Sequence, residues 1–306
     1  MYKHTTNEVV MIRPVAFAFN AETAVNNAYQ NNDDTDPKII QEKALAEFDG
    51  LVAKLEERGV KVNVLEDTPT PATPDSIFPN NWFSTHEGGL MVVYPMFADN
   101  RQEEIYKFRN TVEDIAEKKA GEHDFTIIDY SRNKARDLIL EGTGSLVIDR
   151  KNRVAYCSLS PRADERLFEK WCKETDHKPC AFVSYQDDTV IYHTNILMGI
   201  GTDFALIGLD QIREEDRERV RKSLEDGGNE IIELTADQLK AGAGNCIELT
   251  GSDGKNFLVM STQAYESLRD DQVAAIEKHL PIVHSDIRTI EFYGGGSARC
   301  TIAEIF

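Results

Sequence analysis

A phrase that returns five times constrains this chain more than any single motif in it. Each occurrence opens on a polar residue and runs on through strand, tight turn, strand, helix and strand. The openers are Asn81, Glu141, His193, Asn245 and Cys300, spaced by 60, 52, 52 and 55 residues. Units of this size cannot bury their apolar strands alone, so one shared core is the economical solution. The fifth unit breaks off at Phe306, and the strand, helix and strand it lacks stand at the other end, between Val9 and Leu65. The expectation is therefore an α/β chain in which residues 1–306 form one domain and close into a ring. The N-terminal segment completes the last repeat, and the five openers meet near one axis.

The local patterns carry this reading. From Pro37 to Arg58 the apolar residues Ala44, Phe48, Leu51, Val52 and Leu55 recur with helical period, and Gly59 stops the helix. The alternation in Val60–Leu65 predicts a strand. Helices are likewise expected over 101–119, 164–173, 213–225 and 264–280, and strands over 9–14, 89–95, 125–129, 153–158, 180–185, 204–208, 229–234 and 256–260. Residues 20–36 are polar and rich in Asn and Asp, a loop laid over the fold.

The formal charge of −19 argues against a nucleic-acid binder, which needs a basic surface. No stretch of about 18 apolar residues marks a membrane span. The first eight residues contain no apolar core of a secretory signal. Five cysteines, at 157, 172, 180, 246 and 300, are scattered without a CxxC pair, so no structural zinc or redox motif is expected. A cytoplasmic, reducing setting suits such a chain and leaves Cys300 a free thiol.

Cys300 follows Gly294-Gly-Gly-Ser-Ala-Arg299, where glycines allow the backbone to approach a ligand. Its thiolate is the most readily activated nucleophile among the openers. His193 can protonate a leaving amine and then activate water. Glu141 can orient that imidazole or hold a cationic group. Each residue alone also suits a packed or hydrogen-bonded core position; their common phase favours chemistry. In Phe78-Pro-Asn80-Asn81-Trp82, two amides can bond a flat polar group while an aromatic ring covers it. No cofactor or metal is called for: Glu141-Gly-Thr-Gly144 is not a phosphate cradle, and His86, His193 and Cys300 lack zinc spacing.

The repeat, its openers and the C-terminal cysteine resemble the guanidine-modifying (pentein) superfamily, which holds arginine deiminases, dimethylarginine dimethylaminohydrolases, agmatine deiminases and amidinotransferases. The resemblance covers nearly the whole chain. It implies a five-fold pseudo-symmetric α/β propeller of ββαβ units, with Cys300, His193 and Glu141 as the catalytic set. It also implies Ser160-Pro-Arg162 as a contact for the substrate carboxylate, with Arg299 a second candidate. Two positions depart from the pattern: Asn81 and Asn195 stand where carboxylates are common. Neutral amides suit a neutral ureido group better than a guanidinium. The Phe-Pro-Asn-Asn-Trp run resembles the citrulline-utilisation hydrolase branch. The implied reaction is hydrolysis of a small ureido or guanidino amino acid, citrulline first, with Asn80, Asn81, Trp82, Phe78, Asn195 and Asn245 around the planar group. An arginine-type deiminase or amidinotransferase is the alternative, and a non-catalytic binding propeller the second. Homo-oligomer formation stays open.

Overall fold

Five three-stranded sheets carry the chain, and all five have one topology. In each, the first strand pairs antiparallel with the second, and the second pairs parallel with the third. The structure, a computed structural model, describes residues 3–306; Met1 and Tyr2, which begin the N-terminal segment, lie outside the described residues. Four sheets are consecutive in sequence: Phe83–His86 with Leu90–Val93 and Thr126–Asp129, Val147–Asp149 with Val154–Ser158 and Lys178–Phe182, Met198–Ile200 with Phe204–Ile207 and Glu230–Glu233, and Ile247–Thr250 with Asn256–Ser261 and Ile282–Ser285. The fifth joins the two ends of the chain. Ala303–Glu304 pairs antiparallel with Glu8–Arg13, in register Val9 to Glu304, and Glu8–Arg13 pairs parallel with Lys61–Glu66.

Middle strands such as Phe204–Ile207 are buried along their whole length, which is why they read as continuous apolar runs rather than as alternation. A helix connects each second strand to the third. In Pro37–Glu57 the Asp36 side chain caps the first turn, Ile40, Ala44, Phe48, Leu51 and Leu55 are buried, and Gly59 at φ +77° turns the chain out. Val52, placed on that face from sequence, is only partly buried at the edge of the cluster.

Three local expectations change. The helix expected over 264–280 is two, Thr262–Ser267 and Asp270–Glu277, because Leu268 is extended at ψ 144°. Gln272 holds the break: its amide accepts from Arg269 N and donates to Glu233 O and the Gln238 side chain, so tertiary bonds override the helical period. The strand expected over 180–185 is Lys178–Phe182, followed by a small hairpin of Tyr185–Gln186 and Thr189–Val190. Asp187 and Asp188 both take positive φ in its turn, a conformation Asp tolerates. Residues 20–36 contain one short helix, Ala21–Ala24, capped by Asn20. Among the described residues, no helix is long and apolar enough to cross a membrane, and no group of three or more His, Cys, Asp and Glu is placed to hold a metal.

One buried cluster makes a prediction about acid. His86 and His177 lie against Trp171, and Arg150 donates to His86 Nδ1 at 3.1 Å. Burial, then the charges of Arg153 and Arg150, lowers the His177 imidazole from 6.5 to about 3. The native state thus binds fewer protons at His177 than the unfolded chain, and its contribution to stability is lost as pH falls through that window. Burial lifts the carboxyls of Glu104 and Glu291 to about 7, an effect of opposite sign. A variant comparison isolates the histidine: urea midpoints at about pH 7 and about pH 5 should differ less in His177→Gln than in the parent. An equal acid loss in both would remove His177 from the account.

Candidate active site

The openers do not start strands directly. Glu141 and His193 sit at the N-caps of single helical turns, Gly142–Ser145 and Thr194–Leu197. Asn81 ends the 3-10 turn Pro79–Asn81, and Cys300 lies within Ala298–Thr301. Asn245 follows a turn in which its N–H donates to Gly242 O at 2.9 Å. Each turn lifts its polar residue out of the strand that follows, so that side chains from different sheets can meet. All five are buried, at 5 % exposure or less.

Two amides meet the Cys300 sulfur. Asn245 Nδ2 lies 3.1 Å from Sγ and Asn195 Nδ2 3.3 Å. Asn245 Oδ1 also accepts from the Cys300 N–H at 3.3 Å, so one side chain grips both ends of the cysteine. Both amides present N–H donors to the sulfur. The glycines matter here in a specific way: a Cβ on Gly296 would lie 2.8 Å from the Phe78 ring and 3.2 Å from Cys300 Cβ. Phe78 therefore packs beneath the cysteine loop.

Glu141 Oε2 and His193 Nε2 are 2.7 Å apart, and Glu141 Oε1 accepts from Phe97 N at 2.8 Å. Arg162 Nη1 stands 3.4 Å from the same carboxylate. Burial pushes the Glu141 carboxyl up, but Arg162, the His193 bond and Arg101 outweigh it and hold it well below the usual carboxylate range. Burial, with Arg162 and Arg101, holds His193 below the usual imidazole range despite Glu141. The pair is thus carboxylate and neutral imidazole at neutral pH. Nε2 is assigned the proton because it faces the carboxylate, which leaves Nδ1 to exchange protons. Gly144 makes room for that ring: a Cβ there would lie 2.5 Å from Asn81 Nδ2 and 2.7 Å from His193 Nδ1.

Asn81 is more occupied than the sequence suggests. Its Oδ1 accepts from Arg101 Nη1 at 2.6 Å and its Nδ2 donates to Asn80 Oδ1 at 3.0 Å. The unpaired groups in this part of the site are Asn80 Nδ2 and Asn195 Oδ1, together with Asp75 Oδ1. Asp75 is buried, with Oδ2 accepting from Asn20 at 2.8 Å and Thr23 at 2.9 Å. Burial raises its carboxyl, against the pull of Arg101, the bonds from Asn20 and Thr23, and Arg162.

Of the residues singled out in sequence, Trp82 and Arg299 stand elsewhere. Trp82 is fully buried against Phe83 among Val10, Ile12 and Ile305, because it leaves its turn on the side facing the core. Arg299 pairs with Glu304 at 2.8 Å in a small cavity that also holds Arg150 and Glu248 and borders the site at Asn195. Arg162 is with the site, its fork of N–H groups directed to Asn26 Oδ1 and Thr23 O of the 20–36 segment. Asp75 and Arg101 were missed. Asp75 lies six residues before Asn81 in a proline-rich loop, and Arg101 opens a helix where a charged residue reads as solvent-facing. For Asp75 the only signal was proximity to the Asn80-Asn81 turn; Arg101, twenty residues further on, carried none.

The comparisons with known proteins fit this geometry. Residues 13–306 match the family model described as N,N dimethylarginine dimethylhydrolase, eukaryotic. Among curated proteins no sequence match is found. Among solved structures, the N-terminal domain of ArgZ, an arginine dihydrolase from the ornithine-ammonia cycle in cyanobacteria, superposes with TM-score 0.75 at 16 % identity, covering 97 % of both chains. The chain spans 40 % of full-length ArgZ. DDAH from Pseudomonas aeruginosa, solved as a cysteine-to-serine mutant with citrulline, gives TM-score 0.66 at 12 % identity over 99 % of both chains. The shared fold and the family match over nearly all its length agree: this chain belongs to the N,N-dimethylarginine dimethylhydrolase family, within the guanidine-modifying pentein superfamily.

Proposed function

We propose that residues 1–306 form one catalytic domain, a five-fold α/β propeller completed by the N-terminal strands. We further propose that it hydrolyses a C–N bond of a guanidino or ureido amino acid with Cys300 as nucleophile. The observation that carries the reading is the pair of amide donors on the Cys300 sulfur. A buried Glu141–His193 pair lies in the same set of openers. Family membership supports a hydrolase of guanidino groups.

In this reading His193 Nδ1 first takes the Cys300 thiol proton, and the thiolate attacks the central carbon. The bond to the leaving nitrogen breaks as the imidazolium, held by Glu141, hands that proton on. The carbon then stays on sulfur until water, deprotonated by His193, attacks and the C–S bond breaks, returning the thiolate. Glu141 keeps the imidazole in one tautomer and stabilises it when charged. Asn195 and Asn245 steady the sulfur, and Asn80 and Asn81 line the planar group. Arg162 suits an α-carboxylate, and the free oxygen of Asp75 suits an α-ammonium; Arg101 is already paired with buried Glu104 and holds Asn81 in place. Reduced thiols are required, as in a cytoplasmic setting; all five cysteines are free.

The case for citrulline rested on Asn81 and Asn195 replacing carboxylates. Glu141 keeps a buried carboxylate in the site, and the family matched is one of dimethylarginine hydrolases, so arginine or a methylated arginine is placed ahead of citrulline. ArgZ is described as an arginine dihydrolase, and an asparagine-to-serine variant of it as covalently bonded to a reaction intermediate. The deciding experiment is a panel of arginine, dimethylarginine, citrulline and agmatine, reading ornithine, citrulline, dimethylamine and ammonia. Turnover of a guanidino amino acid above agmatine is expected, since agmatine lacks the carboxylate. No turnover of any of them would sink the reading.

Gly144 offers a second test. Alanine there must displace Asn81 or His193, and a displacement of about 1 Å costs about 10²-fold in rate. Gly144→Ala should therefore lower kcat by about 10²-fold with the fold retained. Unchanged kcat would show that the His193 position does not matter.

A further inference from the structure

Tyr192, the residue before His193, is buried and touches three parts of the site at once. Its ring lies 4.5 Å from the Arg162 guanidinium carbon. It also lies 4.6 Å, centroid to centroid, from the His193 ring. Its hydroxyl donates to Gly295 O at 3.0 Å, in the glycine loop that leads to Cys300. Burial raises its phenol well above 10, so the hydroxyl remains a donor throughout the working range.

The consequence lies in how Arg162 is held. A ring beneath the guanidinium face leaves the N–H edge free for planar acceptors. That edge is directed at single oxygens: Nε and Nη2 both donate to Asn26 Oδ1, at 2.7 and 2.5 Å, and Nη2 also to Thr23 O at 2.8 Å. Asn26 Oδ1 thus fills the forked position that a carboxylate oxygen takes in a bidentate pair. A second ring, Phe97, stands 5.9 Å from the same carbon. Leucine at 192 would fill much of the volume but give the guanidinium no π face.

We propose that Tyr192 is a specificity-determining positioning residue: it fixes the Arg162 fork for the substrate α-carboxylate and ties it to the His193 turn and the Cys300 loop. This rests on the hydrolase reading above, in which Arg162 meets the carboxylate. It makes discrimination between arginine and its decarboxylated analogue depend on an aromatic ring that itself contacts neither.

Binding is measured by calorimetry in the Cys300→Ala background, so that no turnover is needed, with arginine and agmatine as probes. The parent should bind arginine more tightly than agmatine. Tyr192→Leu and Tyr192→Met should each weaken arginine by about tenfold while leaving agmatine within about twofold. Tyr192→Phe, which keeps the face, should retain the preference. Equal weakening of both probes in the Leu and Met variants would make Tyr192 a packing residue only and overturn the inference. Undiminished arginine preference in either folded variant would overturn it as well. If the parent binds neither probe, the guanidino-substrate reading falls and takes this inference with it, which separates the two failures.

Discussion

Cys300→Ala should lower kcat by about 10⁴-fold or more on whichever substrate is turned over. The sulfur is the group proposed to bond the substrate carbon, and neither Asn195 nor Asn245 can substitute for it. The fold should survive. Cys300 is buried beside Ile302 and Ala298; without the sulfur Asn245 Nδ2 keeps its bond to Asn195 O, and the Asn195 amide loses its sulfur partner at about 1–3 kcal/mol. The backbone bond from residue 300 N to Ser297 O is kept, since it does not use the side chain. A variant that still unfolds cooperatively, with a midpoint lowered by at most a few degrees, and shows no measurable turnover is the expected outcome. Retention of more than about a tenth of parental kcat would exclude the thiolate as nucleophile.

His193→Asn should cost about 10³- to 10⁴-fold in kcat, near the upper end for general acid–base groups, because the same imidazole serves both half-reactions. Asparagine can still donate to Glu141, which keeps the buried carboxylate from losing its 2.7 Å partner altogether. The loss should therefore appear in kcat rather than KM, since His193 is not proposed to hold the ground-state substrate. A rise in KM with kcat intact would reassign His193 to binding and leave the proton transfers without a donor.

Much of the architecture was legible because it is written in phase. The five openers recur at near-constant spacing, and the apolar strands between them are too short to fold singly. The pairing of Ala303–Glu304 with Glu8–Arg13 follows from the pieces missing at one end and spare at the other. What could not be read was direction. Asn81 and Trp82 are neighbours in sequence, yet the turn at Pro79–Asn81 sends one toward Arg101 and the other into the core. Arg299 and Cys300 part in the same way. Asp75 was invisible because a lone carboxylate in a proline-rich loop carries no periodicity; only burial, with one oxygen left unpaired, marks it. Asn81 itself looked like a free amide, and Arg101, from the start of a helix about twenty residues on, takes its oxygen.

The presence of Asp75 also changes the electrostatic argument. Counting only the openers, the site appeared depleted of negative charge, which favoured a neutral urea. Counting the tertiary neighbours, Arg101 is matched by Glu104 and Arg162 lies against Glu141, while Asp75 adds a buried carboxyl with one oxygen unpaired.

The central claim is a covalent bond between the substrate carbon and Cys300. Trypsin cleaves after Arg299 and releases Cys300–Phe306 as one short peptide that contains no other cysteine. Enzyme quenched in acid during turnover of the best panel substrate, in the parent and in His193→Asn, should yield this peptide with a mass increase equal to the retained carbon fragment. The adduct should be more abundant in the histidine variant, where its hydrolysis is slowed. Rapid turnover with only unmodified peptide, together with turnover by Cys300→Ala, would contradict the account.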